Sequence, residues 1–462
     1  MNIINPATEE VIDSVQEDDV QSVEKKYQIL KKGLDAWRNV ALKERIALIN
    51  NFKDCIKAEL PELAEVLSQE TGKPLAQAKG ELIGTCSRIK FFVNNSEQYL
   101  IPEDVADKNG MLEKISYEPF GVIGNISAWN YPYAVGVNVF IPALIAGNTV
   151  LFKASEFTAL SGLSIARLLH KAGVPEDAFQ AVTGAGEVGE AMLNLPLDGY
   201  FFTGSHTTGK YIYETVAKKM VPCLVELGGK DPLYATANNG DVKSVAAAAA
   251  DGAFYNNGQS CCAVERIYVH ESIHDEFVDE FKKAVSGYKL GEPNEEEVYI
   301  GPLTRGSQIQ FIEGQIADAV EKGGQIVMGG KAASRRGYFF EPTVVTNVNH
   351  GMSLMKDESF GPIIGIQKVN DDDEAVALMK DTDYGLTSSV FTEDEEQAYK
   401  IMSAMDSGTV YWNCCDRVSP NLPWSGRKNS GIGATLSHLG IRAFVQPKAY
   451  HLNMAKQKNV TH

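Results

Sequence analysis

The sequence predicts an α/β fold whose parallel sheets are covered by helices, divided into more than one domain. Three observations lead there. Short apolar runs alternate with helical stretches from Gly121 onward, and a second alternating series starts near Asp231. The 462 residues also exceed what one hydrophobic core usually serves.

Taken in chain order, Val20 to Glu118 reads as mostly helical, because apolar residues recur three and four apart, as at Ile46, Leu48, Ile49, Phe52 and Ile56. Strands are expected at Gly121–Ile126, Thr149–Lys153, Ala178–Val182 and Gly199–Thr203, with helices at Pro142–Ala146 and Leu160–Ala172. A boundary is placed near Leu227–Asp231. Beyond it the second series runs through a helix at Val242–Tyr255, a strand at Arg266–Val269 and a helix at Ile273–Tyr288.

Composition excludes several classes. A hydrophobic share of 44% with 22% charged residues is that of a globular protein. The net charge of −17 argues against a nucleic-acid partner, since phosphate binding needs clustered Lys and Arg. No apolar run approaches the roughly 20 residues of a membrane span, and the start shows neither a secretory nor a transit pattern. Seven scattered cysteines without CxxC spacing support neither a disulfide framework nor a metal site, so a reducing cytoplasm is the expected setting.

The chemistry-bearing runs begin with Asn256-Asn257-Gly258-Gln259-Ser260-Cys261-Cys262, which sets a thiol after a glycine turn. Glu226-Leu227-Gly228-Gly229-Lys230 offers a carboxylate on a glycine-rich turn, a candidate general base. A thiol and a base that meet in the fold suggest covalent catalysis. The residues alone do not separate Cys261 from Cys262, and a buried inert cysteine is the commoner fate.

Gly184-Ala185-Gly186-Glu187-Val188-Gly189 fits the dinucleotide fingerprint, but the next strand closes on Thr203-Gly204-Ser205 where an acidic residue is expected. Phe202 to Lys210 is the better candidate, a strand running into a Gly/Ser turn and a helix whose free N–H groups suit a phosphate. Lys153 and Glu156 stand at a strand end, where a carboxylate can accept from both ribose hydroxyls of NAD and would repel the extra phosphate of NADP; alone, the two residues read equally as a surface ion pair. Asn130, in Ala128-Trp129-Asn130-Tyr131-Pro132, can donate to a developing oxyanion. Lys356 to Pro362 supplies Glu358 and Phe360 ahead of a tight turn.

Together and in this order, with Asn5-Pro6-Ala7-Thr8, Glu70-Thr71-Gly72-Lys73-Pro74 and Pro423 to Gly431, the runs resemble the NAD(P)-dependent aldehyde dehydrogenase superfamily over nearly the whole chain. The resemblance implies a Rossmann-like NAD-binding domain at 1–101 and 120–228 and an α/β catalytic domain at 229–440. A small β oligomerisation element would take 102–119 and 441–462. It implies Cys261 as nucleophile, Glu226 as general base and Asn130 as oxyanion donor. Cofactor contacts would fall on Trp129, Lys153, Glu156, Gly204, Ser205, Gly209, Leu227, Glu358 and Phe360.

By position, Tyr131, Val135, Asn138, Ser260, Cys262, Val418 and Trp424 would wall the substrate pocket. That lining is aromatic and uncharged and suits an uncharged or apolar aldehyde. Semialdehyde-oxidising relatives often carry an Arg near the Asn138 position to hold the substrate carboxylate; none is seen there in this sequence, though Arg417 can approach the mouth. Ala128, His206 and the Gly431–Leu436 segment depart from the family pattern and are expected not to touch the chemistry, although His206 would sit close enough to the pyrophosphate to alter cofactor affinity. The expected function is NAD-dependent oxidation of an aldehyde to its acid through a cysteine thioester. A CoA-acylating relative or a non-enzymatic binding protein on the same fold are the alternatives. Met111–Glu118 and Ala443–Leu452 fit the family's subunit contacts, so a homodimer or homotetramer is expected.

Overall fold

In a computed structural model of the chain, residues 1–454 are described. Three sheets organise them. The six-stranded sheet runs in the order Gly431–Ile432, Cys223–Glu226, Gly199–Thr203, Val122–Ile126, Thr149–Lys153, Phe179–Val182. All neighbours in it are parallel except the first pair, in which Gly431 lies opposite Glu226. The central strands are buried along both faces, as continuous apolar runs in parallel sheets require.

The chain runs outward from Val122–Ile126 in both directions, so the carboxyl ends of this strand and of Gly199–Thr203 border a switch point, where α/β sheets bind ligands. The seven-stranded sheet runs Gln325–Met328, Thr343–Thr346, Ile363–Val369, Val264–His270, Asp231–Ala235, Thr387–Phe391, Thr409–Trp412. Only its first pair is antiparallel.

Two expected elements change. The helical run ends at Leu100, and Glu103–Lys108 and Met111–Pro119 form strands instead. In the third sheet Val445–Asn453 pairs antiparallel along the whole of Met111–Pro119, from Val445 opposite Pro119 to Asn453 opposite Met111. Residues 455–462 of the expected oligomerisation element lie outside the described residues. The helix expected at Pro142–Ala146 extends over Pro132–Ala146 and carries Pro142 inside it. Proline normally stops a helix by removing a donor. Here nearly every side chain is buried, with Phe140 set edge-on to Phe52, Phe152 and Phe179 at 6.2, 5.5 and 5.5 Å, so packing outweighs the lost bond.

Two buried Lys–Glu pairs fasten loops to this frame. Lys73 pairs with Glu81, and its Nζ also donates to the Asn130 carbonyl at 2.9 Å. Glu81 accepts from the Tyr133 and Ala134 amides at 3.0 and 3.3 Å, the first turn of the Pro132 helix. On the other side Lys230 donates to Glu265 at 2.7 Å and to Ser359 Oγ at 3.0 Å. Glu265 accepts from the Ser359 and Phe360 amides at 2.7 and 2.9 Å.

Removing one charge of such a pair leaves the other buried and uncompensated, at a cost of about 3–5 kcal/mol. Glu265→Gln is therefore expected to lower the melting temperature by several degrees in a calorimetric scan. An unchanged midpoint would mean that Lys230 finds water or another acceptor.

Candidate active site

The thiol loop is built from unusual backbone. Asn256, Asn257 and Gly258 all have left-handed φ, at 53°, 59° and 69°. Asparagine tolerates this region better than most residues, and such strain persists only where surroundings over-determine it. Asn256 Nδ2 donates to the Gln259 and Asn130 carbonyls at 2.9 and 3.2 Å. Asn257 is tied to Pro302 and Gly301 at 2.8 and 2.7 Å. A Cβ at Gly258 would meet the Gly361 carbonyl at 2.3 Å, so only glycine fits. These contacts aim Cys261, partly exposed, into a cavity of about 330 Å³.

Cys262 is different in kind. It is buried and donates its thiol to Asp416 Oδ1 at 3.0 Å. Neighbouring Cys261 first, and burial second, hold its pKa well above the ordinary range. The structure thus separates two thiols that the sequence left equivalent.

Glu226 ends the strand Cys223–Glu226, just before the glycine turn on which the sequence placed it, and faces the same cavity. Burial raises its pKa to about 7, against the opposing hydrogen bond from Thr435 and the charge of Arg88. Thr435 Oγ1 donates directly to Glu226 Oε1, which corrects the expectation that the Gly431–Leu436 segment stays clear of the candidate base.

Asn130 is not among the residues lining the cavity. Its Nδ2 donates to the Gln259 carbonyl at 3.1 Å, which ties it to the thiol loop and uses one of its two amide hydrogens.

All seven expected wall residues, Tyr131, Val135, Asn138, Ser260, Cys262, Val418 and Trp424, line that cavity. Two expectations are corrected, an uncharged lining and the lack of an arginine near Asn138: Arg88, Asp251, Asp416 and Arg417 line the cavity too, and Arg88 Nη1 donates to Asn138 Oδ1 at 3.2 Å. They come from the helices Leu75–Leu100 and Val242–Phe254 and from the loop after Trp412, and none belongs to a recognised motif. Only the fold brings them together.

A second group gathers at the carboxyl ends of the six-stranded sheet. Lys153 closes its strand and is buried, and burial lowers its pKa while Glu156 opposes the shift. Glu156 stays partly exposed, with Ser155 Oγ donating to it at 3.1 Å. Ser205 caps the helix His206–Ala217. Gly209 lets that helix approach Leu227, whose Cδ2 would lie 2.2 Å from an added Cβ. Trp129 and Phe360 meet edge to face at 5.5 Å.

Glu358 is held by the Gly229 amide at 3.1 Å, and burial, then the charge of Glu265, raises its pKa. Arg305 lies 5.3 Å over the Trp129 ring and feels Glu156 and Glu358. Its buried Nε has no partner among the described residues. A helix N-terminus, a buried lysine, two carboxylates and an orphaned guanidinium donor suit a ligand with phosphates and ribose hydroxyls. The residues fit a nicotinamide dinucleotide.

With this geometry in view, comparison with known proteins places the chain. Residues 1–450 match the model of the aldehyde dehydrogenase family, and the chain belongs to that family. An aldehyde dehydrogenase of Emericella nidulans is 34% identical over 459 residues, covering 98% of this chain and 91% of the relative. An NADP(+) succinate-semialdehyde dehydrogenase of Deinococcus radiodurans is 32% identical, covering 91% of this chain and 88% of its own length. A solved E. coli NADP-dependent enzyme superposes with a TM-score of 0.95 at 31% identity, covering 98% of this chain and 94% of that one. The chain is an aldehyde dehydrogenase of mixed α/β fold with a nucleotide-binding sheet. Among the described residues no helix is long and apolar enough to cross a membrane, and no cluster of ligating side chains suits a metal ion.

Burial also dictates a pH response. It raises Glu70 and Glu226 to about 7 and Asp231 to about 8. A carboxyl raised in the folded state favours folding while protonated, fully below its unfolded pKa of about 4. That contribution is lost as pH climbs through about 7 to 8. The melting temperature is expected to fall between about pH 5 and 8, and Glu226→Gln to flatten the slope. A midpoint that rises over this range would contradict the assignment.

Proposed function

We propose that the chain oxidises an aldehyde to a carboxylic acid with Cys261 as nucleophile, Glu226 as general base and Asn130 as oxyanion donor. The observation that carries this reading is one cavity shared by a partly exposed thiol and a buried carboxyl with a pKa near that of the medium. The Cys261 sulfur attacks the carbonyl carbon and forms a thiohemiacetal, whose oxygen takes hydrogen bonds from Asn130 and the Cys261 amide. A nicotinamide dinucleotide, when bound, would supply the hydride acceptor for this oxidation, and the Cys261 adduct that remains is a thioester. Glu226 then removes a proton from water, which displaces the Cys261 sulfur and releases the acid.

Glu226 in the cavity supports water, not CoA, as the group that resolves the thioester, and speaks against a purely binding role. Lys153 and Glu156 would hold the adenosine ribose, Ser205 with Gly204 and Gly209 the pyrophosphate turn, and Glu358 the nicotinamide ribose. Trp129, Leu227 and Phe360 would wall the cleft.

We place the cofactor domain at 1–101 and 120–228, the catalytic domain at 229–440 and the assembly element at 102–119 and 441–462. The sheet formed by Val445–Asn453, Met111–Pro119 and Glu103–Lys108 has open edges that a second subunit can extend, which supports a dimer or a dimer of dimers. Seven free cysteines support a reducing, cytoplasmic setting. The name of the Deinococcus relative supports a carboxylated aldehyde among the substrates.

Cys261→Ala is expected to abolish turnover while Cys262→Ala keeps most of it. Glu226→Gln should leave the initial burst of NADH and remove steady turnover; an unaltered steady rate takes Glu226 out of the mechanism. In the pH profile, turnover should rise through about pH 7 as Glu226 loses its proton, and Thr435→Val should move that limb upward because it removes a bond favouring the charged form.

Glu156 supports NAD over NADP by roughly ten- to several-hundred-fold, since a 2′-phosphate would face its carboxylate. The kcat/KM values for both cofactors at one aldehyde concentration measure the preference. Equal values, or a preference for NADP, would show that Lys153 or Arg305 overrides Glu156.

A further inference from the structure

Arg88 is the cavity residue with the least obvious partner. It projects from the helix Leu75–Leu100, and its Nη1 donates to the Ala134 carbonyl at 2.8 Å and to Asn138 Oδ1 at 3.2 Å. Both acceptors are neutral. No carboxylate among the described residues forms an ion pair with it, although it lines the same cavity as Cys261 and Glu226. A guanidinium carries five N–H donors in a planar fork, so most of its capacity remains unspent.

The surrounding acids act on this charge only from a distance: burial lowers the Arg88 pKa, Glu226 and Glu81 oppose that shift, and neither bonds to the guanidinium. Glu81 is committed to Lys73 and to the Tyr133 and Ala134 amides. Glu226, raised to about 7, is bonded by Thr435. Asp416 accepts from the Cys262 thiol at 3.0 Å, and burial, then Cys262, pushes its pKa well above the carboxylate range. Asp251 and Arg417 are exposed at the mouth. Among the described residues no carboxylate therefore bonds to this guanidinium, although it lines the cavity. A desolvated cation of this kind is held at a cost unless an anion completes it, and arginine matches a carboxylate with two parallel bonds.

We propose that Arg88 is a specificity-determining residue whose guanidinium grips the carboxylate of a short ω-oxo acid while the aldehyde end lies at Cys261. This rests on the catalytic reading above. The Asn138 and Ala134 contacts fix the guanidinium against the Pro132–Ala146 helix and leave its free edge to the cavity. A volume of about 330 Å³ lies at the small end of ligand pockets and suits a chain of a few carbons.

The test compares succinic semialdehyde with butanal, an uncharged aldehyde of equal length, in wild type, Arg88→Lys and Arg88→Met. The expected ratio of kcat/KM in favour of the carboxylated aldehyde is large in wild type. It should drop ~100-fold or more in Arg88→Met, mainly through KM, and less in Arg88→Lys, which keeps charge but not the fork. Succinate should inhibit the wild type competitively against the aldehyde, and butyramide should not, a readout that needs no variant to fold. If both aldehydes lose rate equally and the ratio stands, Arg88 instead supports the charges on Cys261 and Glu226, and the proposal is overturned. Equal use of both aldehydes by wild type, or no inhibition by succinate, also overturns it. Oxidation of neither aldehyde would instead refute the dehydrogenase reading itself.

Discussion

The buried pair of Lys73 and Glu81 is the constraint on which the site depends. Burial depresses the lysine pKa, and the nearby carboxylate restores part of the loss. Each partner then spends its remaining capacity on backbone of the same segment, Lys73 on the Asn130 carbonyl and Glu81 on the amides that open the Pro132 helix. Lys73 also lies 3.9 Å over the Tyr131 ring. The turn from Trp129 to Pro132 is thereby held from three sides by one charged pair. Isolated buried pairs seldom repay their desolvation, so a pair whose every bond goes to one loop is better explained by positioning than by stability.

The same device recurs across the cleft. Lys230 and Glu265 fix Ser359 and Phe360, and with them Glu358 and the ring that meets Trp129. The two pairs hold the segments that carry Trp129 and Phe360, whose rings meet, while the left-handed run Asn256–Gly258 presents Cys261 to the cavity. Low dielectric then does the remaining work. Burial of the kind that forces these lysines to find partners also lifts the Glu226 pKa to about 7, the range in which a carboxyl can exchange a proton near neutral pH.

Much of this was legible in the sequence, for identifiable reasons. Strands such as Thr149–Lys153 were legible because continuous apolar runs between turn residues have few other readings. The Cys261, Glu226 and Glu358 runs were legible because each is a compact motif. Pro142 misled the helix assignment, since its local effect is real and only tertiary packing overrides it. Arg88 and Asp416 were invisible as cavity residues, and Thr435 as the partner of Glu226, because remote segments bring them there and none has a local signature. The Glu70 to Pro74 motif was visible as a pattern, yet nothing in it announced that Lys73 reaches the Asn130 carbonyl.

The most direct measurement of the positioning role is the single-turnover burst of NADH in Glu81→Gln, at a temperature where circular dichroism shows the fold intact. If the pair holds the Asn130 turn for chemistry, the burst should slow by ~10²–10³, the usual cost of losing one oxyanion donor. A burst at the wild-type rate, accompanied only by a lower melting temperature, would contradict that role and reduce the pair to a structural tie.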